Sequence, residues 1–372
     1  MARISYKNRQ RSDYLLSLGI FSLITFGLIM IYSVSKYLSL QITDGASDKL
    51  YLSQQLISLA IGVVAWLVLQ NIDYTFWKKH SGKALIVIII LLMSVFLFGD
   101  TNSSGAQRWI DIFGFRFQPA EIVKLCFIIY LSGWFSVKMD DFKSINKSFW
   151  FFIAILGVIS FFLLQQKDLG TLSVIVGIAA GIYFTAGASI YNLGIASILG
   201  SFIFWLSVRA EPYRMERITA FLNPENATLS TSYHIRNALI AIGSGGLWGL
   251  GFGQSRQKYL YLPEAHTDSI FAIIAEELGF FRASIIIVLF AFVAIRGFKI
   301  AKEAPDNFGR LMATGIVVWL VFQAFVNIAA MMSLIPLTGV PLPFISYGGT
   351  NLVVSLAAVG ILLNISRHKK FT

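Results

Sequence analysis

The chain has 372 residues, of which 56% are apolar and 13% charged, with a net charge of +11 and a mean hydropathy of +0.71. A soluble domain carries roughly 25% charged residues, so the composition excludes a soluble globular protein and indicates a polytopic membrane protein. The basic excess comes without a basic run or base-reading motif, which excludes a nucleic-acid binder, and one cysteine, Cys126, excludes an intramolecular disulfide.

A membrane-spanning helix needs about 20 mostly apolar residues. Ten segments read as such helices, near 14–35, 53–70, 84–99, 119–136, 149–165, 170–187, 190–208, 270–297, 310–334 and 347–365. The first follows a basic start (Arg3, Lys7, Arg9, Arg11) with no small-residue cleavage site after it, so it reads as a retained helix rather than a removed leader. Lys and Arg gather at both termini and in the loops around Lys78, Lys143 and Lys299. The alternate short loops hold only Lys36, Lys49, Arg108, Arg116 and Lys167. The positive-inside rule then places both termini in the cytoplasm and explains most of the basic excess.

Residues 209–267 accordingly form a long extracytoplasmic segment between helices seven and eight. Within it, Arg214–Leu222 predicts a short amphipathic helix stopped by Asn223-Pro224. Ser230–Ile242 predicts a second, with hydroxyl residues before it and Gly243 after it. Both are expected at the membrane surface. No internal repeat, inverted or otherwise, and no separate soluble domain is visible. Residues 1–372 read as a single all-α membrane domain, a polytopic bundle of ten transmembrane helices.

Several polar constellations stand out against this apolar background. Gly105-Ala-Gln-Arg108-Trp109 lies in the outer loop before helix four, where Trp109 suits an interfacial anchor and Arg108 could meet a phosphate. Gln118-Pro119-Ala120-Glu121-Ile-Val-Lys124 opens helix four, with proline at the first turn. Glu121 and Lys124 share a face there. They form either a structural ion pair or an anion-binding lysine set by its glutamate. Gln165-Gln-Lys-Asp168-Leu-Gly170 separates helices five and six and reads as a turn. The glycine-dense run Gly243–Gly253 lacks the Gly-Lys-Ser/Thr of a P-loop and the flanking strand of a dinucleotide fingerprint, so it reads as tight turns. Pro336–Gly349 holds three prolines and enters the last helix as irregular backbone, which at that depth needs protein cover or a wet cavity.

The most informative stretch runs from Tyr259 through Pro263-Glu264-Ala-His266-Thr-Asp268 to Glu276-Glu277-Leu-Gly279. Asp268 opens helix eight. It reads as a helix N-cap, as a general base held deprotonated by the helix N-terminus, or as both. Glu121, Lys124, Asp168, His266, Asp268, Glu276 and Glu277 all map to the outer half, with no matching ladder of charges through the inner half. A transporter of a charged head group would carry polar groups along its whole path. Charges confined to one side suit chemistry on a substrate already exported. Without a nucleotide-binding motif, the energy must arrive with that substrate.

Taken together and in order, these motifs resemble the SEDS family (shape, elongation, division and sporulation), the FtsW/RodA peptidoglycan polymerases of bacteria. The resemblance covers nearly the whole chain. It rests on Gly105-Ala-Gln-Arg-Trp, Gln118-Pro-Ala-Glu, Asp168-Leu-Gly, Tyr213–Pro224, Gly253–Lys258, Leu262–Asp268, Ala275–Gly279 and Pro341–Gly349. Gln257–Glu264 and Leu363–Arg367 resemble the FtsW, or division, branch more than RodA. The resemblance implies a glycosyltransferase that polymerises lipid II in the bacterial cytoplasmic membrane, at the septum if the division branch holds. It implies Asp268 as the essential acid, and Glu121 and Lys124 as the family's helix-four pair. It also implies a class b penicillin-binding protein as partner, among other divisome or elongasome membrane proteins. The chain departs from the family at Lys167 (usually proline), Ala120 (usually serine), Ser269 (usually phenylalanine) and Arg282 (usually glycine). Lys167 and Arg282 are expected either to meet pyrophosphate or to snorkel.

The reaction expected is an inverting transfer with Asp268 as base. Lys124 and Arg108, backed by Arg217 or Arg256, would neutralise the pyrophosphate, and Gln118, Glu121, Asp168 and His266 would complete the substrate site. A divalent cation could share that neutralisation, although no metal-ligand spacing demands one. The alternatives are a lipid II flippase and a non-catalytic scaffold.

Overall fold

The computed structural model describes residues 11–101, 107–112, 115–139, 147–222 and 229–368. Arg3, Lys7, Arg9, Gly105, Ala106, Lys143 and Asn223-Pro224 therefore lie outside the described residues.

Each predicted membrane segment falls on a helix. In chain order these are α1 (Tyr14–Ile42), α2 (Leu50–Asn71), α3 (Thr75–Phe98), α4 (Pro119–Ser136), α5 (Phe149–Gln165), α6 (Leu169–Thr185) and α7 (Ile190–Ala210). After two shorter helices come α10 (Ile270–Glu303), α11 (Asn307–Met331) and α12 (Gly349–Ser366). Eight of these ten are long and apolar enough to cross a membrane, while α5 and α6 are apolar helices of 17 residues each. Their starts follow local chemistry. Asp13, Asp168, Ser189 and Asp306 cap α1, α6, α7 and α11 through their side chains, and Pro119 opens α4.

The two helices expected between α7 and α10 are present as α8 (Pro212–Leu222) and α9 (Leu229–Gly245). The second runs past Gly243 and packs against α10, and its Ile235, Ala238 and Ala241 are buried. The all-α reading needs one addition. Between α3 and α4 lies a small antiparallel sheet of β1 (Gly99–Thr101), β2 (Gln107–Ile112) and β3 (Phe115–Phe117), in that spatial order.

Helix α11 is the hub, buried on nearly every face and packed against α4, α6 and α10. Helix α12 packs on α2, and α3 on α4. At one end of the bundle the loops are tied by ion pairs of Arg296 with Asp13 (2.5 Å) and Lys78 with Asp306 (3.3 Å). The other end carries the sheet, α8, α9, the 246–269 segment and the proline-rich loop, and it holds the polar constellations.

Candidate active site

Asp268 sits in the turn that enters α10. The N-cap position itself belongs to Ser269, whose side chain makes no capping bond, so the N-cap reading of Asp268 is corrected by one residue. The backbone carbonyl of Asp268 accepts from Asn327 Nδ2 of α11 at 2.7 Å. The same Nδ2 donates to Val340 O at 2.7 Å, so one asparagine ties the Asp268 turn to the proline-rich loop. The Asp268 side chain is half-buried, and no described donor is hydrogen-bonded to its carboxylate. Burial pushes its pKa up to about 7, Glu264 and Asp168 add to the rise, and Arg108 and Arg217 oppose it.

The two arginines are held by backbone carbonyls. Arg108 Nε donates to Gln166 O at 3.3 Å and its Nη2 to Lys167 O. Arg217 Nη1 donates to Leu337 O at 3.0 Å. A guanidinium has five N–H donors, so each retains donors for an anion. Lys167 stands at φ +57, with its ammonium 3.8 Å from Glu211 and 5.7 Å from the Tyr213 ring centroid.

Asp168 explains how helices distant in sequence converge here. Its Oδ1 accepts from Thr171 N (3.0 Å), and its Oδ2 from Thr171 Oγ1 (2.9 Å) and Gln118 Nε2 (3.0 Å). It thus caps α6 and anchors the start of α4 together. Gly170, next on α6, lets the proline-rich loop approach: a Cβ there would meet Thr338 O at 2.6 Å.

Glu121 and Lys124 form a buried ion pair at 2.8 Å. Lys124 also donates to Gln323 Oε1 (2.8 Å) and lies 5.0 Å from the Trp319 ring centroid, while Glu121 accepts from Asn351 Nδ2 (2.8 Å). Gln323 in turn donates to Pro341 O at 2.9 Å. Lys124 is 1% exposed, so the anion-binding lysine read from the sequence is enclosed by protein, and the pair fastens α4 to α11 and α12.

Glu276 and Glu277 act inward as well. Glu277 accepts from Gly253 N (2.9 Å), Ser255 N (3.3 Å) and Lys258 Nζ (2.9 Å), and Glu276 accepts from Ser255 Oγ and from Arg256 N (3.1 Å). They clamp the glycine-rich segment onto α10 where that helix is broken. Gly279 has φ 75 and ψ 178, and the backbone groups freed by the break pair with the segment: Leu250 N with Glu276 O (3.0 Å), Gly251 N with Glu277 O (3.0 Å) and Phe280 N with Gly246 O (2.9 Å).

Two expected cations lie elsewhere. Arg282 is exposed and donates to Trp248 O at 3.3 Å, so it belongs to this break rather than to the Asp268 site. The Arg256 side chain is also exposed, and Arg256 is not among the groups acting on Asp268. His266 lies in the site, packed between Tyr51 and Tyr347.

Sequence reasoning passed over Gln323 and Asn327. Their signal was available, as two amides four residues apart in the otherwise apolar second half of the helix. It also passed over His234, whose Nε2 lies 2.7 Å from Ser269 Oγ. Ser269 Oγ donates to Pro263 O at 2.9 Å, so His234 is the donor to it, and burial pushes the His234 pKa down to about 4. Ser269, one of the positions where the resemblance implies another residue, thus has a partner. Among the described residues, no group of three or more His, Cys, Asp and Glu side chains is placed to hold a metal ion.

Residues 14–371 match the FtsW/RodA/SpoVE family model, described as cell cycle protein. The chain is 39% identical over 363 residues to stage V sporulation protein E of Bacillus subtilis, covering 96% of this chain and 98% of that one. It is 37% identical over 373 residues to a probable peptidoglycan glycosyltransferase FtsW of Geobacter metallireducens, covering 100% and 98%. Among solved structures, a chain of a peptidoglycan synthase complex that coordinates polymerization and crosslinking has the same fold, with a TM-score of 0.77 at 22% identity over 96% of this chain and 98% of that one. The rod shape determining protein RodA of Thermus thermophilus gives a TM-score of 0.69 at 23% identity, covering 97% and 98%.

Proposed function

The chain belongs to the FtsW/RodA/SpoVE family of cell cycle proteins, and on that premise we propose that it is a peptidoglycan glycosyltransferase. It polymerises lipid II at the outer face of the bacterial cytoplasmic membrane, with both termini in the cytoplasm and Asp268 as general base. Its curated relatives carry the names FtsW and stage V sporulation protein E, which favours the FtsW-like branch over RodA. The observation that carries the reading is the Asp268 carboxylate itself: half-buried, without a hydrogen-bonded donor among the described residues, poised near pH 7, and flanked by two arginines. A carboxylate serving only the fold would be capped or paired.

In the proposed reaction, a sugar hydroxyl of one lipid-linked unit gives its proton to Asp268 as its oxygen attacks the anomeric carbon of another unit. The bond from that carbon to the pyrophosphate oxygen breaks on the opposite face, the electron pair leaves with the polyprenyl pyrophosphate, and the anomeric configuration inverts, as in inverting glycoside hydrolysis. A pyrophosphate leaving group needs positive charge more than a proton. Arg108 and Arg217, held by carbonyls near Asp268, supply it. A class b penicillin-binding protein is the proposed partner, in keeping with the synthase complex whose chain shares the fold.

The test is a gel assay of fluorescent lipid II with the purified protein, alone and with a cognate penicillin-binding protein, beside Asp268→Asn. A glycan ladder that disappears in a folded variant is expected, with turnover down at least 100-fold. A ladder of wild-type strength from the variant would remove Asp268 from the chemistry. Lipid II crossing vesicle bilayers with no ladder under any condition would favour a flippase.

A further inference from the structure

Tyr51 of α2, His266 and Tyr347 gather their rings in one cluster, and His266 lies two residues before the base. The Tyr51 centroid is 4.5 Å from that of His266 and 5.0 Å from that of Tyr347, and the His266 and Tyr347 centroids are 5.5 Å apart. All three side chains are only partly buried. The triad is braced from behind: Tyr347 N donates to His266 O at 2.9 Å, Tyr347 Oη donates to Gln54 Oε1 at 2.5 Å, and Gly348 N donates to Gln55 Oε1 at 3.2 Å. Three chain segments are thus tied together to hold three rings at one open edge of the site. The neighbouring acid is Glu264, exposed and at φ +51, close enough to act electrostatically on Tyr51, His266 and Asp268.

Partly open aromatic faces next to a solvent-facing carboxylate form a particular chemical pairing. A pyranose ring has an apolar C–H face that packs on aromatic rings and a rim of hydroxyl and amide groups that hydrogen-bond to a carboxylate. A lipid tail would use the rings but not the acid, and a pyrophosphate would be repelled by the acid. We propose that Tyr51, His266 and Tyr347, with Glu264 at their rim, form a saccharide subsite that seats one hexosamine ring of the lipid-linked substrate beside Asp268. This rests on the polymerase reading and adds to it a location for the sugar. Burial holds the His266 pKa below its ordinary value, so at neutral pH its ring is uncharged, which suits an apolar sugar face.

The experiment measures dissociation constants in nanodiscs for two ligands, lipid II and polyprenyl pyrophosphate without a saccharide. Asp268→Asn serves as the background, so that bound lipid II is not consumed. Tyr51→Leu and Tyr347→Leu remove one ring each, and Tyr347→Phe keeps the ring while losing its bond to Gln54. Each lost ring is expected to weaken lipid II by roughly tenfold, leaving the sugar-free lipid within twofold. Tyr347→Phe should bind both ligands as the parent does. Equal loss for both ligands, or unchanged lipid II affinity in the leucine variants, would overturn the subsite. If the Asp268→Asn parent binds the sugar-free lipid as tightly as lipid II, the saccharide subsite is overturned as well. The polymerase reading is judged separately, by the wild-type glycan ladder.

Discussion

The Asp268 carboxylate lies directly against Gly339: a Cβ placed on that glycine would stand 3.3 Å from Asp268 Oδ2. Gly339 also has φ +71, a conformation in which any other residue is strained. The glycine therefore permits the loop shape and keeps the face of the carboxylate clear. Gly339→Ala should cost about 1–2 kcal/mol from the left-handed backbone and crowd the base as well. A modest drop in melting temperature with a disproportionate drop in kcat is the expected pattern. A variant that loses stability but keeps wild-type kcat would show that the contact is incidental.

The charge environment of Asp268 sets a pH dependence with a defined sign. Its pKa in the folded protein is raised from 3.8 to about 7, by burial first and then by Glu264, so the basic form is lost as pH falls through 7. Polymerisation measured as kcat/KM should fall on the acid side with a midpoint near 7. Glu264→Gln removes an upward influence and should move that midpoint down, while Arg217→Gln removes a downward one and should move it up. Opposite shifts from the two variants are the signature; shifts of the same sign would mean that a different group titrates. Stability runs the other way. The native state holds this proton more tightly than the unfolded chain, so the contribution is full below pH 4 and is lost as pH rises to 7. Asp268→Asn should consequently melt higher than the wild type at pH 8.

Much of this was legible in the sequence because membrane helices advertise themselves as apolar runs, and the exceptions then stand out. Gln118, Asp168 and Asp268 were visible as polar residues at helix starts, and the structure brings Gln118 and Asp168 into direct contact. What escaped notice depends on partners distant along the chain. Gly279 looks like any small residue in an apolar helix, and only the backbone of Gly246–Gly251 makes its broken geometry favourable. Gly339 lies between prolines and gives no hint that it faces Asp268. Arg282 read as a cation near the cavity because the break in α10, which sends it elsewhere, was not foreseen. The sheet strands are three to six residues long, too short for an alternating pattern to emerge.

The break in α10 carries its own prediction. Gly279 occupies a region of φ and ψ essentially reserved for glycine. A Cβ on it would lie 2.2 Å from Gly249 N, and one on Gly249 would lie 2.3 Å from Glu277 O. These are backbone-to-backbone contacts with no flexible side chain to yield. Gly279→Ala and Gly249→Ala should each destabilise by several kcal/mol, combining overpacking with backbone strain. Gly243→Ala, a few residues away with open space at its Cβ, is the control and should behave as wild type. Detergent-solubilised yield and melting temperature separate the three.

The Glu121–Lys124 pair offers a test of what a buried charge is for. Removing one partner of a buried ion pair leaves the other uncompensated and costs about 3–5 kcal/mol, whereas removing both can be nearly neutral. Lys124→Met strands Glu121, which is 2% exposed with Asn351 as its remaining donor. Glu121→Gln combined with Lys124→Met removes both charges. The glutamine can still accept from Asn351, and Gln323 keeps its bond to Trp319 Nε1 at 2.8 Å. If the pair fastens α4 to α11 and α12, the single variant should melt markedly lower and polymerise poorly, and the double variant should recover both properties. A double variant that is stable yet inactive would place Lys124 at the substrate after all, reached through an opening of the site. Melting temperature and glycan ladder, measured on the same preparations, decide between an anchor and a ligand-binding lysine.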